Sequence, residues 1–381
     1  MKVHAQPIVE SGTETAFQPE HDSAAVWRLL DTSEPERWDA AIADCGRFDT
    51  YHLAGYHRAS EHIEQGAHGL LFHYRDGGCS AAIPLMIRSL PDSLGAAFAT
   101  LSDAVSAYGY PGPICSATSE ADAPAGFADG FCKAFLQALQ ERGVISFFLR
   151  HNPLIDTAWL TEELGGQTVL GSTVALDLSK SLEEQRLEAR KRIRNHYRKA
   201  LEKGVSVVED REFRDLDSFV RLYSQTMKTL EAKDFYFFDT AYYRDLKECL
   251  GDRVSLFHTR YEGRIIGSMI VFLTNGIIQY HLAGWDRDFL KLSPLRILYD
   301  HFRYWGKEHG FRWAHLGGGV GAQSDSVMEF KRDFSKTEFP YSVSRIVIDT
   351  EAYAGACRAA GHAVSEGEAT EGFFPLYRQN G

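Results

Sequence analysis

The sequence predicts an α/β chain of the α+β kind: two tandem copies of one unit, each a mixed, mostly antiparallel sheet flanked by helices. Three observations predict it. The 381 residues exceed one ordinary core and suit two domains of about 150–200 residues. Two hairpin patterns recur about half a chain apart. The second half also runs helix, helix, hairpin, strand, loop, helix, strand.

Residues 1–23 are polar and aperiodic, and a frayed start is expected there. Residues 24–44 carry a helical pattern. GLLFHYRDGGCSAAIPLMI (69–87) places two strand-like runs around Arg75-Asp76-Gly77-Gly78, a hairpin signal. VSLFHTRYEGRIIGSMIVFL (254–273) does the same around Tyr261-Glu262-Gly263. Leu71-Phe72-His73 aligns with Leu256-Phe257-His258 at an offset of 185 residues, as a duplicated domain requires. The alternative is two unrelated hairpins in one large α+β domain.

A strand and one long helix are expected over 173–204, with Ser181 as cap and Gly204 as stop. Helices follow over 212–230 and 239–250, and a strand over 276–285. A helix over 295–310 starts just after Ser293-Pro294 and ends on Gly310, and strands over 311–319 and 342–350 complete the order. The predicted domains are 1–170, then 171–345 opening on the basic helix, then a C-terminal segment, 346–381.

The composition limits function. A net charge of −11 disfavours nucleic acid except at a local basic patch. No apolar run reaches the roughly 20 residues of a membrane span, and the N-terminus lacks the basic-then-apolar pattern of a signal peptide. Six scattered cysteines form no CxxC and have no close His partner, which argues against zinc and against a disulfide framework. The expectation is a reduced, cytoplasmic protein without a metal.

Four segments carry candidate chemistry. From Arg186 to Lys203 eight Lys/Arg oppose two Glu, a local charge of +6. On one helix Arg190, Arg194 and Arg198 would share a face. Such a stripe reads as a phosphate site or as a solvated face paired with acids. The segment Ser326–Ser335, SVMEFKRDFS, sets Lys331 and Arg332 among Phe330 and Phe334. Lys331 reads as a phosphate contact or oxyanion stabiliser, or else as a surface lysine on an amphipathic turn. Asp103–Pro113, DAVSAYGYPGP, rigidifies Tyr108 and Tyr110 with two glycines and two prolines, either as a substrate wall or as a packed loop. Tyr280 and His281 on the fourth strand and His315 on the fifth sit where a central cleft would open; each His is a candidate base or a hydrogen-bonded structural residue.

The basic segment ARKRIRNHYRKALEKGVSV, the run YHLAGWDRDFLKLSPLRILYDHFRYWGKEHGFRWAHLGGG and the terminal FKRDFS together resemble FemAB/FemX-type transferases, over about residues 170–345. The first half resembles them less specifically, through AYGYPGP and the hairpin. The resemblance implies tandem GNAT-like domains with a substrate channel between them. It implies transfer of an aminoacyl group from aminoacyl-tRNA to an amine of a cell-wall precursor, or of a polysaccharide or small molecule. It carries Phe330 and Lys331 over as the catalytic pair. Arg190, Arg194 and Arg198 become contacts to substrate phosphates, and Tyr108 and Tyr110 contacts to substrate. Asp103, Tyr280, His281 and Arg332 complete the candidate binding set.

CoA-using members of the wider group carry R/Q-x-x-G-x-G/A before the helix, whose amides cradle pyrophosphate. The corresponding stretch here, Trp285–Pro294, has no glycine and two aspartates, so no CoA or other cofactor is expected. The alternatives are an N-acyltransferase using an acyl-CoA or carrier thioester, and a non-catalytic binding module. The expected partners are aminoacyl-tRNA and an amine acceptor, with no DNA and no membrane span.

Overall fold

The computed structural model describes residues 25–63, 66–232, 236–319, 321, 323–363 and 372–379. The frayed start expected over 1–23 lies outside them.

The repeat is explicit in the element order. The first half runs β1 (Val26–Asp31), α1 (Pro35–Asp44), α2 (Ala54–Ser60), β2 (Ala67–Asp76), β3 (Cys79–Ser89), β4 (Ser102–Val105), β5 (Ile114–Cys115), α3 (Phe127–Gln140) and β6 (Val144–Arg150). After β7 (Thr168–Asp177), α4 (Leu182–Glu188) and α5 (His196–Glu202), the second half repeats it. It runs β8 (Ser206–Asp210), α6 (Leu216–Thr229), α7 (Thr240–Leu250), β9 (Val254–Tyr261), β10 (Arg264–Thr274), β11 (Ile277–Trp285), α8 (Pro294–Glu308) and β12 (Trp313–Gly317). The chain closes with α9 (Ser326–Arg332), β13 (Glu338–Val347) and α10 (Thr350–Ala359).

Both predicted hairpins form, and for the same reason. Gly77 and Gly78 (φ 52° and 80°), and Glu262 and Gly263 (φ 50° and 75°), give two-residue turns with both central residues left-handed, matched to strand twist. The aligned histidines each bond a serine hydroxyl, through different ring nitrogens. His73 bonds the Ser80 hydroxyl at 2.7 Å and His258 the Ser268 hydroxyl at 2.9 Å, each across its own hairpin.

Among the described residues all strands join one sheet, in the order β1-β2-β3-β4-β6-β13-β7-β12-β11-β10-β9-β8, with β5 on β3. Every pairing is antiparallel except β4 with β6 and β11 with β12. The late strand β13 lies between β6 and β7, so the end of the chain bridges the two repeats. The segment beyond it returns to the first half, where Tyr377 bonds Ser146 at 2.8 Å and Asp103 at 3.0 Å.

Two expectations change. Where one helix was expected, residues 26–44 are a strand and a helix, because Thr32-Ser33 turns the chain before Pro35 takes the first helical position. The single basic helix is two short ones. A capping box, Ser181 with Glu184, starts α4, but Ala189 is extended (ψ 144°) and residues 189–195 turn before α5. Asp333 draws this turn in: the Arg190 N–H donates to its carbonyl at 2.8 Å and Arg192 reaches its carboxylate at 2.6 Å.

One apolar cluster runs through both halves, joining Tyr51 and Tyr56 to Phe219, Tyr242 and Phe272. At its rim α2 meets α7 so closely that a Cβ on Gly55 would stand 2.3 Å from the Cys249 carbonyl oxygen. Backbone cannot yield there, so Gly55→Ala is expected to destabilise by about 1–3 kcal/mol in urea titration. Unchanged stability would mean that α2 and α7 are free to part.

Candidate functional site

The site begins where two parallel strands separate. β11 pairs with β12 only over Ile277–Gln279 and Trp313–His315, yet β11 continues to Trp285 and β12 to Gly317. The strands therefore open into a V. On the other edge of β11 the register jumps from Ile270↔Leu282 to Val271↔Tyr280, leaving His281 as a bulge without a ladder partner. Bulges re-aim side chains beside active sites.

Lys331 reaches this V from α9. Asp325 caps the helix by accepting from the Met328 N–H at 2.8 Å, which fixes the rotation that sends Lys331 inward. Its Nζ donates to the Gly318 carbonyl at 2.5 Å. Gly317 has φ +75°, and a Cβ there would lie 3.2 Å from Lys331 Nζ and 3.4 Å from the Tyr110 hydroxyl. A cation from the second half and a phenol from the first thus border one small volume, kept open by a glycine. Burial lowers the Lys331 ammonium to about 8, against the opposing pull of Asp325.

A buried polar chain braces the V. Gln279 Nε2 donates to Asp49 at 2.7 Å, and Gln279 Oε1 faces His315 Nδ1 at 2.7 Å. The amide orientation makes His315 Nδ1 the protonated nitrogen, so Nε2 is a lone pair without a partner. Burial, then the Lys331 charge, lowers His315 to about 3, so the ring is neutral at ordinary pH. Asp49 also accepts from Asn152 at 2.9 Å and from the Tyr51 N–H at 2.9 Å. Burial alone would raise this carboxyl, but His52, Asn152 and Gln279 together hold it below its ordinary value.

The first half supplies an aromatic wall. Tyr110 packs on His315 at 5.1 Å and on Tyr341 at 5.4 Å, and Asn152 holds its carbonyl at 3.0 Å. Tyr108 packs on His281 at 5.9 Å and on Tyr236 at 6.4 Å. His281 Nε2 meets the Tyr242 hydroxyl at 2.9 Å, and burial lowers this ring to about 3. Tyr108, Tyr110, His281, Lys331 and Tyr341 are each half-buried where the two halves meet.

The structure therefore gathers Lys331, Tyr108, Tyr110, His281 and His315. The other candidates sit differently. Phe330 packs on Tyr299 at 5.1 Å and under Arg296 at 4.8 Å, which anchors α9. Tyr280 donates to the Tyr299 carbonyl at 3.0 Å in the core beneath α8. Arg332 is held by Glu338 (2.8 Å) and Glu329 (3.0 Å). Asp103 is a correction: it is fully buried and takes Arg88 at 2.8 Å and Arg378 at 2.5 Å, so it ties the C-terminal segment down and has no part in the cleft. The arginine stripe is another correction, because the helix that would align it is broken. Arg190 pairs with Glu329 at 2.8 Å, Arg194 donates to the Ala189 carbonyl at 2.9 Å, and Arg198 pairs with Glu202 on its own helix. Asp49, Asn152, Gln279, Arg150 and Tyr341 were not expected at the site.

Residues Arg287–Leu292 form a 3-10 turn, and the Asp286 carboxylate accepts the Asp288 N–H at 3.1 Å. Asp210, Asp215 and His258 lie close enough for a metal, but Asp210 already accepts the Arg214 and Asp215 N–H groups and Asp215 pairs with Arg260. Among the described residues no helix is long and apolar enough to cross a membrane.

Residues 188–332 match the family model of the acetyltransferase (GNAT) domain. Comparison with curated protein sequences gives no match. Among solved structures the chain is similar to FemX (TM-score 0.63, 13% identity, 84% of this chain and 97% of that one). It is also similar to L-PGS from Bacillus licheniformis (TM-score 0.54, 16% identity, 83% and 92%). A third likeness is to the C-terminal DUF2156 domain of a protein described as a lysylphosphatidylglycerol synthetase of Agrobacterium fabrum (TM-score 0.52, 15% identity, 82% and 92%). Residues 188–332 therefore carry an acetyltransferase domain of the GNAT type. Across both halves the fold is similar to that of FemX.

Proposed function

We propose that the chain forms amide bonds by moving an aminoacyl or acyl group from an activated ester, aminoacyl-tRNA, to an amine of a cell-wall precursor, polysaccharide or small molecule. The observation that carries this is Lys331 Nζ at the mouth of the V, facing Tyr110 across Gly317. The amine nitrogen attacks the ester carbonyl and a C–N bond forms. The ester C–O bond breaks, and the amine proton leaves with the departing hydroxyl. Charge develops on the carbonyl oxygen, and the Lys331 ammonium meets it there, with the backbone freed at His281 beside it. The ester is already activated, so positioning supplies much of the rate. No protein base is required, in keeping with the two neutral, weakly basic histidines.

An RNA-linked donor is favoured over CoA by the filled turn before α8, where pyrophosphate would need free amides. The surface around α9 fits a polyanion better. Arg190, Arg192, Arg296 and Arg332 share Glu329, Asp333 and Glu338, and exposed Lys191 and Lys199 add further positive charge. Transfer from charged tRNA places the reaction in the cytoplasm. In assays with charged tRNA, acyl-CoA and acyl-carrier donors, we expect product from charged tRNA alone and none after RNase. Product from a thioester, or product that survives RNase, rejects this donor.

A further inference from the structure

Arg150 ends β6 at the point where the chain of the first half leaves the sheet toward Tyr108 and Tyr110. Its backbone N–H donates to the Ser106 hydroxyl at 2.9 Å, its Nη1 donates to the Ser106 carbonyl at 2.5 Å, and the Phe148 ring lies 5.0 Å from the guanidinium carbon. These contacts fix the side chain. The Arg150 charge also acts on the phenols of Tyr341, Tyr108 and Tyr110, which burial otherwise pushes up.

Among the described residues no carboxylate lies within ion-pair distance of Arg150. Arg88 has Asp103 at 2.8 Å, Arg296 has Asp333 at 2.7 Å, and the buried Arg303 has Asp300 at 2.9 Å. A half-buried guanidinium without a counter-ion leaves charge-assisted donors unmet, and its planar fork matches two coplanar oxygens. One cation with phenols, rather than several cations or an amide nest, fits a singly charged carboxylate better than a phosphate dianion. The register sets the distance from the chemistry. Arg150 pairs across with Val343 on β13, two residues from Tyr341, and Tyr341 touches Tyr110, which borders Lys331.

We propose that Arg150, framed by Tyr108, Tyr110 and Tyr341, anchors a carboxylate on the amine acceptor, so that the acceptor is an amino acid or peptide. The anchor holds that carboxylate on the first-half side of Tyr110 while the amine reaches the V on the other. The subsite rests on the acyl-transfer reading for its acceptor, but binding is measured without turnover, so the two can fail separately.

The probes are Nα-acetyl-L-lysine and its carboxamide, which share an amine and differ in the charge of the group tested. Calorimetry on the wild-type chain is expected to show the carboxylate binding at least about tenfold more tightly than the amide. Arg150→Gln should bring the carboxylate down to the amide's level and leave the amide unchanged. Arg150→Lys, which keeps the charge and the stem but loses the fork, should keep part of the preference and guards against misfolding of the glutamine variant. Lys331→Ala should keep the preference whole. Binding of neither probe by the wild type, equal binding of both, or a preference that survives Arg150→Gln overturns the subsite. Loss of the preference in Lys331→Ala would move it to Lys331 and overturns it too.

Discussion

Lys331→Ala is expected to lower turnover by about 10²–10³-fold, the usual cost of removing one donor to a developing oxyanion. Stability should hold, because the ammonium is half-buried, among the described residues bonds only a carbonyl, and alanine removes a desolvated charge. The titration of Lys331 gives an independent mark. Burial lowers it from 10.5 to about 8, so the cation is present below that pH and lost as pH rises through it. If the cation is the working form, the rate falls along an alkaline limb near pH 8. Lys331→Arg holds its charge throughout, so that limb should vanish while some activity remains. A limb unchanged in the arginine variant, or wild-type turnover in the alanine variant, removes Lys331 from the mechanism.

Local signals in the sequence were enough for the repeat. The two-residue turns announce themselves through Gly77-Gly78 and Glu262-Gly263, and Pro294 and Gly310 mark the ends of α8. Lys331 stood out as a candidate in the basic pair between phenylalanines, but its spacing does not place Nζ near Tyr110. What was hidden depends on contacts far apart in sequence. The run of arginines reads as one helix until Asp333, more than a hundred residues later, pulls Arg190 and Arg192 out of register. Asp103 looks like a substrate contact beside two tyrosines, and only the returning C-terminal segment reveals its partners. Gln279 left a trace, as a polar side chain in the apolar strand IIQYHLAGW, but its meaning lies with Asp49, 230 residues earlier. Arg150 left the same kind of trace, a charge closing the apolar run VISFFLR.

Asp49→Ala is expected to cost roughly 3–9 kcal/mol, because it strands three buried donors at about 1–3 kcal/mol each. Those donors are the Tyr51 N–H, Asn152 Nδ2 and Gln279 Nε2. A loss of that size is a large share of a typical 5–15 kcal/mol stability. Asp49→Asn should recover only part of this, since its oxygen can serve one side of the network while its NH2 turns donors toward donors on the other. The effect also has a pH signature. The folded carboxyl sits below its ordinary value of 3.8, so its contribution is present above that pH and fades as pH falls below it. Wild-type stability should therefore drop in acid by more than that of Asp49→Ala. Function should suffer as well, because Asp49 lies in the first half and holds Gln279, which orients His315 at the last paired position of the V. Without it the two strands lose the brace that fixes where they part, and Lys331 loses its alignment with Tyr110. Urea unfolding within about 1 kcal/mol of wild type would show that the buried chain from Asp49 to His315 is not what holds the two halves in register.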